Sequence, residues 1–173
     1  MTQRLDYTAI APAGIRALGS VYGYIVQSGL PRQLVNLVYL HASQINGCAY
    51  CIDMHSRDLV KEGLAVEKLL LVQAWREAGS LFDTRERSAL AWTEIVTRVA
   101  NTAVPDADFQ VASAMFSEKE LADLTTAIGL TNVYNRLAIG FRVPPKAALS
   151  EHQDQVVANM RSPTPTGDQE IQS

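Results

Sequence analysis

LVNLVYLHASQINGCAYCIDMHSRDLVKEG, residues 34–63, is the stretch whose reading decides the fold. Its first half is apolar at helical spacing, and Pro31 stands just ahead of it, where a helix can open without losing a needed backbone donor. Asn46-Gly47 then interrupts the pattern with a strong turn signal. A second helix is expected from about Cys48 to Gly63, so two helices meet at a tight turn with both cysteines just beyond it. On a helix of 3.6 residues per turn, Cys48, Cys51, Ile52, His55 and Leu59 share one face.

That placement carries chemistry. The first turn of a helix has unpaired N–H groups and the positive end of the macrodipole, both of which favour a thiolate. His55, one turn beyond Cys51, can take or return the thiol proton, and together these features lower a cysteine pKa from about 8.5 toward neutrality. Dipole reasoning alone favours Cys48 as the more reactive thiol, whereas the position of His55 favours Cys51. The chain has two cysteines in all. A disulfide between them closes a loop too short to constrain the unfolded chain, so stability is not its purpose. Two inert buried thiols have the same spacing. A tetrahedral zinc set from His41, Cys48, Cys51 and His55 is a further option, although His41 sits on the preceding helix and the long middle loop of zinc modules is missing.

Outward from this centre the periodicity stays helical and no strand-like alternation occurs. Gly14 to Ser28 reads as a helix with Ile15, Leu18, Val21, Tyr22 and Ile25 on its stripe. Ala65 to Ala78 reads as one helix stopped by Gly79. Asp83 or Thr84 caps the helix that includes ERSALAWTEIVTRVA, and Asp106 to Phe116 forms a short one behind Pro105. Ser117-Glu118-Lys119-Glu120 has the capping-box form and opens a long helix ended by Pro144-Pro145. Asn132, Asn135 and Arg136 interrupt its apolar face, and buried amides there need partners. Trp92 reads as core or subunit interface, Met54 as filling, and Asp53 as solvated surface. The fold class is therefore all-α, a single-domain helical bundle over residues 1–160. RSPTPTGDQEIQS, residues 161–173, is expected to be a flexible tail.

Composition excludes several functions. The chain of 173 residues has 47% apolar and 19% charged residues and a net charge of −3, within the range of ordinary globular domains. With no Lys/Arg run, nucleic acid is not an expected partner. No stretch approaches the roughly 20 apolar residues that span a bilayer, and MTQRLDYTAIAPAG lacks a signal-peptide core, so no membrane association and a cytoplasmic location are expected. A close cysteine pair in a reducing compartment is catalytic or metal-binding in character.

The stretch 34–63 resembles the core of the alkylhydroperoxidase D-like, carboxymuconolactone decarboxylase family. The likeness continues through ERSALAWTEIVT and FSEKELADLTTAIGLTNVYNRLAIGFR, so it covers roughly residues 30 to 142. It implies an all-α fold assembled as a homo-oligomer, trimer or hexamer, and a peroxidase activity without cofactor or metal. In the family pattern the residue matching Cys51 attacks the peroxide, that matching Cys48 resolves the sulfenic acid, and that matching His55 relays protons. The partners so implied are a hydroperoxide substrate and an external dithiol reductant. Two positions depart from the alkylhydroperoxidase D branch. Asn36 replaces a glutamate twelve residues before the first cysteine, and an amide can orient His55 but accepts no proton. Tyr50 replaces a histidine, and is expected to pack or to hydrogen-bond in the pocket. His41 lies near a basic position of relatives and is a substitute partner or a plain helix residue.

The expected function is thus a thiol-dependent peroxidase cycling Cys48 and Cys51 between dithiol and disulfide. The alternatives are a non-redox, lactone decarboxylase-like lyase and a redox-sensing oligomer without turnover.

Overall fold

The computed structural model describes residues 2–149. The expected domain limit at 160 and the tail 161–173 lie outside the described residues. Among these, the elements are helical throughout. They are α1 (Tyr7–Ile10), α2 (Pro12–Val26), α3 (Arg32–Asn46), α4 (Ala49–Lys61), α5 (Val66–Leu70), α6 (Thr84–Thr97), α7 (Val99–Thr102), α8 (Asp106–Ser113) and α9 (Glu118–Phe141), with 3-10 turns at Val72–Ala74 and Gly79–Leu81.

Helix α3 is the axis of the bundle, packed against α4, α6 and α9. Every residue from Leu34 to Ser43 is buried, the mark of a helix surrounded by others rather than lying on a surface. Leu34, Val35, Val38 and Tyr39 face one apolar cluster with Ile25, Trp92, Phe116, Leu124 and Ile128. Leu37 and Leu40 face a second, with Leu59, Val72, Trp75, Phe82 and Leu90. Each such side chain stabilises the fold by about 1.5–3 kcal/mol on burial, so α3 ties two cores into one. Trp92 is buried among the first of them and donates its indole N–H to Thr125 Oγ1 at 2.9 Å.

Local signals in the chain place the helix ends. Asp83 and Glu86 form a reciprocal capping box on α6, and Ser117 and Glu120 form another on α9. Pro12 opens α2 at its first position, two residues before the expected start at Gly14.

The expected single helix over Ala65–Ala78 is not formed. The chain leaves α5 after Leu70 and continues in 3-10 turns, because burying Val72 and Trp75 requires a bend that a straight helix cannot make. Arg87 on α6 holds the bend by donating to the carbonyls of Trp75, Arg76 and Gly79 at 3.0–3.1 Å. Its guanidinium also lies 5.2 Å from the Trp75 ring centre. The partner is distant in sequence, so the local pattern gave no sign of it. Replacing Arg87 with Met should remove those three bonds while keeping the apolar stem, with an expected loss of about 2 kcal/mol in urea unfolding and no change in helix content at pH 7.

Candidate functional site

The site is built on the turn between α3 and α4. Gly47 takes φ +71°, a left-handed conformation that costs a side-chain-bearing residue about 1–2 kcal/mol. The Gly47 N–H then bonds the Gln44 carbonyl at 3.2 Å and the Cys48 N–H bonds the Ser43 carbonyl at 2.9 Å. This pair of bonds is a Schellman closure, which satisfies the last carbonyls of α3 and ends it. Cys48 is thereby the N-cap of α4 rather than a residue of its first turn, and its sulfur accepts the Cys51 N–H at 3.4 Å.

Helix α9 clamps this turn from behind. The Asn46 side-chain amide donates to Asn132 Oδ1 at 2.9 Å and to Asn135 Oδ1 at 2.8 Å. Asn135 in turn donates to Ser43 Oγ at 3.0 Å. The amides that interrupt the apolar face of α9 therefore satisfy each other across a helix contact and hold the dithiol in place.

Cys48 and Cys51 are each 1% exposed. They are joined as a disulfide, with Cα atoms 5.4 Å apart, and pack with Ala138, Tyr50 and Val143. Cys51, unlike Cys48, lines a cavity of about 310 Å³. Its polar wall also holds His55, Asn36 and Asp58, and its aromatic wall consists of Tyr7, Tyr22, Tyr50 and Tyr134. Ile15 and Met54 complete the apolar surface. Helices α1, α2, α3, α4 and α9 all contribute, so the cavity exists only in the folded bundle.

His55 is 8% exposed, with its ring centre 5.1 Å from that of Tyr39. Burial pushes its pKa down to about 4, against a weaker upward pull from Asp58. The imidazole is therefore neutral near pH 7, with a lone pair on one ring nitrogen. Burial likewise raises Tyr7 and Tyr134 above the usual phenol range, which keeps these two rings uncharged.

The remaining sequence candidates separate. Asn36 lines the cavity but donates to Glu62 Oε1 at 2.7 Å, and Arg32 pairs with the same oxygen at 2.8 Å. Tyr50 packs at the cavity mouth beside the cysteines. His41 does not line the cavity. It is buried against Glu94, 3.0 Å from its Oε1, and that carboxylate also receives Trp75 and Arg76. His41 is therefore a structural partner that helps pin the bent segment after α5. Among the described residues no group of three or more His, Cys, Asp or Glu side chains is arranged to hold a metal ion, so the set with His41 is not assembled. Asp53 is more than solvated surface: it accepts from Arg57 at 2.8 Å and from the Ala147 N–H at 3.3 Å.

Sequence reasoning named Tyr50 but passed over Asp58, Tyr7 and Tyr134, and read Tyr22 only as part of a helix stripe. Asp58 follows His55 by three residues, a spacing that places it beside the ring, so the signal was present. Tyr7, Tyr22 and Tyr134 come from distant helices and leave no local signature.

The helical fold and the C-x-x-C-x-x-x-H helix start define an all-α protein of the alkylhydroperoxidase D-like type. The chain belongs to the carboxymuconolactone decarboxylase family, whose model matches residues 12–94. It is 33% identical to the uncharacterised protein YdfG of Bacillus subtilis (strain 168), over 80% of this chain and 94% of that one. A crystal structure from Agrobacterium tumefaciens, of a protein of unknown function ascribed to antioxidant defence as AhpD, superposes with TM-score 0.80. The two are 37% identical over 83% of this chain and 98% of that one. The debrominase Bmp8, solved with 2,3,4-tribromopyrrole, shares the fold with TM-score 0.70 at 18% identity, over 83% of this chain and 79% of that one. Among the described residues no helix is long and apolar enough to cross a membrane.

The depressed His55 pKa fixes a sign. Between its unfolded value near 6.5 and its folded value of about 4, the unfolded chain binds a proton that the folded chain refuses, so stability falls as pH drops through that window. His41 is shifted the same way, burial outweighing its bond to Glu94. Urea unfolding of the oxidised protein should therefore show a loss between pH 7 and pH 5 that is smaller by about 2 kcal/mol in His55→Gln. Equal losses in the two proteins would mean that His55 titrates normally.

Proposed function

We propose that the protein is a thiol-dependent peroxidase that reduces organic hydroperoxides through a Cys48–Cys51 dithiol/disulfide cycle. The observation that carries this reading is a buried cysteine pair in disulfide contact at a helix start, with Cys51 and a neutral His55 lining one cavity. In the first step His55 takes the Cys51 proton and the thiolate attacks the distal peroxide oxygen. The O–O bond breaks, the alcohol leaves with the proton from His55, and Cys51 becomes a sulfenic acid. Cys48 then attacks the Cys51 sulfur, water departs, and the disulfide forms. An external dithiol restores both thiols.

Two features favour this order. Cys51 faces the cavity, whereas Cys48 caps the helix behind it, where the dipole and the Cys51 N–H stabilise a resolving thiolate. The tyrosine wall suits an apolar organic hydroperoxide better than hydrogen peroxide, which gains nothing from aromatic surface. Exposed apolar residues on α2 and α9, among them Tyr24, Val26, Val133 and Ile139, are of the kind that subunits cover and support a homo-oligomer.

Single-turnover oxidation of the reduced protein by cumene hydroperoxide, followed by thiol titration and mass spectrometry, tests the cycle. Wild type should lose both thiols with stoichiometric formation of the Cys48–Cys51 bond. Cys51→Ser should lose peroxide reactivity by at least about a thousandfold, since Cys51 is the thiol among the residues that line the cavity. Cys48→Ser should react once and stop at a trappable Cys51 sulfenic acid. Unreacted thiols in the wild type would overturn the peroxidase reading and leave the lyase or the redox-sensing oligomer.

A further inference from the structure

Behind His55 lies a second, smaller chamber of about 80 Å³. Tyr22, Met54, His55 and Tyr134 line both it and the larger cavity, while Tyr39 and Thr131 line the chamber but not the cavity. Three polar atoms of its lining residues stand out. Tyr39 Oη, Thr131 Oγ1 and His55 Nδ1 are each sealed from solvent, and none has a hydrogen-bond partner among the described residues. Their residues are 3%, 2% and 8% exposed.

A buried hydroxyl or ring nitrogen without a partner carries its full desolvation cost. Three around one small space would cost more than a marginally stable fold readily bears. The same space satisfies all three if it is wet. It exceeds the roughly 10–15 Å³ that one water requires, and a buried water needs two to four polar partners. The walls supply two hydroxyls that both donate and accept, and one ring nitrogen.

We infer that this chamber is a structural water site linking His55 Nδ1 to Tyr39 and Thr131, and that Tyr39 and Thr131 are positioning residues for the imidazole. The tautomer of a histidine is set by what its other nitrogen bonds. Water anchored by the two hydroxyls accepts the Nδ1 proton and leaves the Nε2 lone pair free. On taking the Cys51 proton at Nε2 the ring becomes imidazolium, and its Nδ1–H keeps the same water partner. When Nε2 passes the proton to the departing alkoxide, the ring returns to its starting tautomer with no net change in the chamber. The water thus provides the dipolar support that Asn36, engaged with Glu62, does not. The catalytic part of this inference rests on the peroxidase reading; the water site and the tautomer do not.

The test is nitrogen NMR of the full-length protein with labelled histidine, the His55 signals being assigned by their loss in His55→Gln. Wild type should show the Nδ1–H tautomer, with long-lived water contacts to the Thr131 methyl group. Tyr39→Phe and Thr131→Val should each mix the tautomers and slow Cys51 oxidation by cumene hydroperoxide about tenfold, with its half-saturating concentration unchanged. Thr131→Ser, which retains the hydroxyl, should restore both. The pH profile of that rate should be compared across the variants with the other groups around His55 held constant: Asp58 on its own helix, and Tyr7, Tyr22, Tyr50 and Tyr134 from the cavity walls.

An Nε2–H tautomer, a dry chamber, or unchanged tautomer and rate in both variants would overturn the inference. If the variants do not fold, the wild-type tautomer and water contacts decide it. A protein that keeps the Nδ1–H tautomer and its water contacts but does not react with peroxide would refute the proposed activity and leave the chamber assignment standing.

Discussion

The hydrogen bond from the Cys48 N–H to the Ser43 carbonyl closes the turn between α3 and α4, and the geometry of the site follows from it. The bond can form because Gly47 adopts a left-handed conformation, and it makes Cys48 the cap of a new helix. Once that register is set, Cys51, His55 and Leu59 have to fall on the buried face, because a helix advances by 100° per residue. Insertion of one residue would swing both Cys51 and His55 away from the cavity. Asn46, Asn132, Asn135 and Ser43 fix the same turn against α9, which is why polar residues occur in the middle of an otherwise apolar helix.

Burial and the helix end act on the two proton partners in complementary ways. Low dielectric disfavours charge on His55 and keeps the ring neutral near pH 7. The same low dielectric would disfavour a thiolate, but the α4 terminus supplies fixed N–H dipoles at the sulfurs, and these gain strength where water is excluded. Neither effect needs a carboxylate in hydrogen-bond contact with the imidazole. Asp58 acts on His55 through space and only in part opposes the effect of burial. Glu62, the carboxylate nearest to Asn36, is taken up by Arg32. The departure at Asn36 therefore changes how the base is supported rather than removing the base.

The fold class and the register of the dithiol were legible in the sequence because local signals determine them. Asn46-Gly47, the capping box of Ser117 and Glu120, the cap at Asp83 and Pro31 each act within one turn of their own position. What was not legible depends on partners far along the chain. The bend after Leu70 exists because Arg87 collects carbonyls from three residues and because Trp75 reaches Glu94. The local pattern of Ala65 to Ala78 is helical and contains neither fact. His41 suits either a ligand or a structural role in sequence, and only the approach of Glu94 from α6 decides between them. The tyrosine wall is assembled from four separate helices, so no window of sequence contains it.

The placement of the two sulfurs also bears on the reductive half of the proposed cycle. Both are shielded, and Cys51 is the one that lines the cavity. In that proposed cycle a reductant entering by the cavity would meet Cys51 first, and Cys48 would depart as the thiolate. Exchange is fastest when the leaving sulfur is the one whose anion is better stabilised. Cys48 meets that condition, since its sulfur already accepts the Cys51 N–H at the helix start. Access is governed by the part of the fold with the weakest hold. Tyr7 closes one side of the cavity from α1, a four-residue helix with no buried residue. It is tethered by its ring contact with Phe141 and by the bonds of Arg4 to Gly140 and Phe141. Elements with so few buried contacts open at the lowest free energy in a native protein. The bundle thus combines a dithiol fixed by α3 and α9 with a cavity cover held by few contacts.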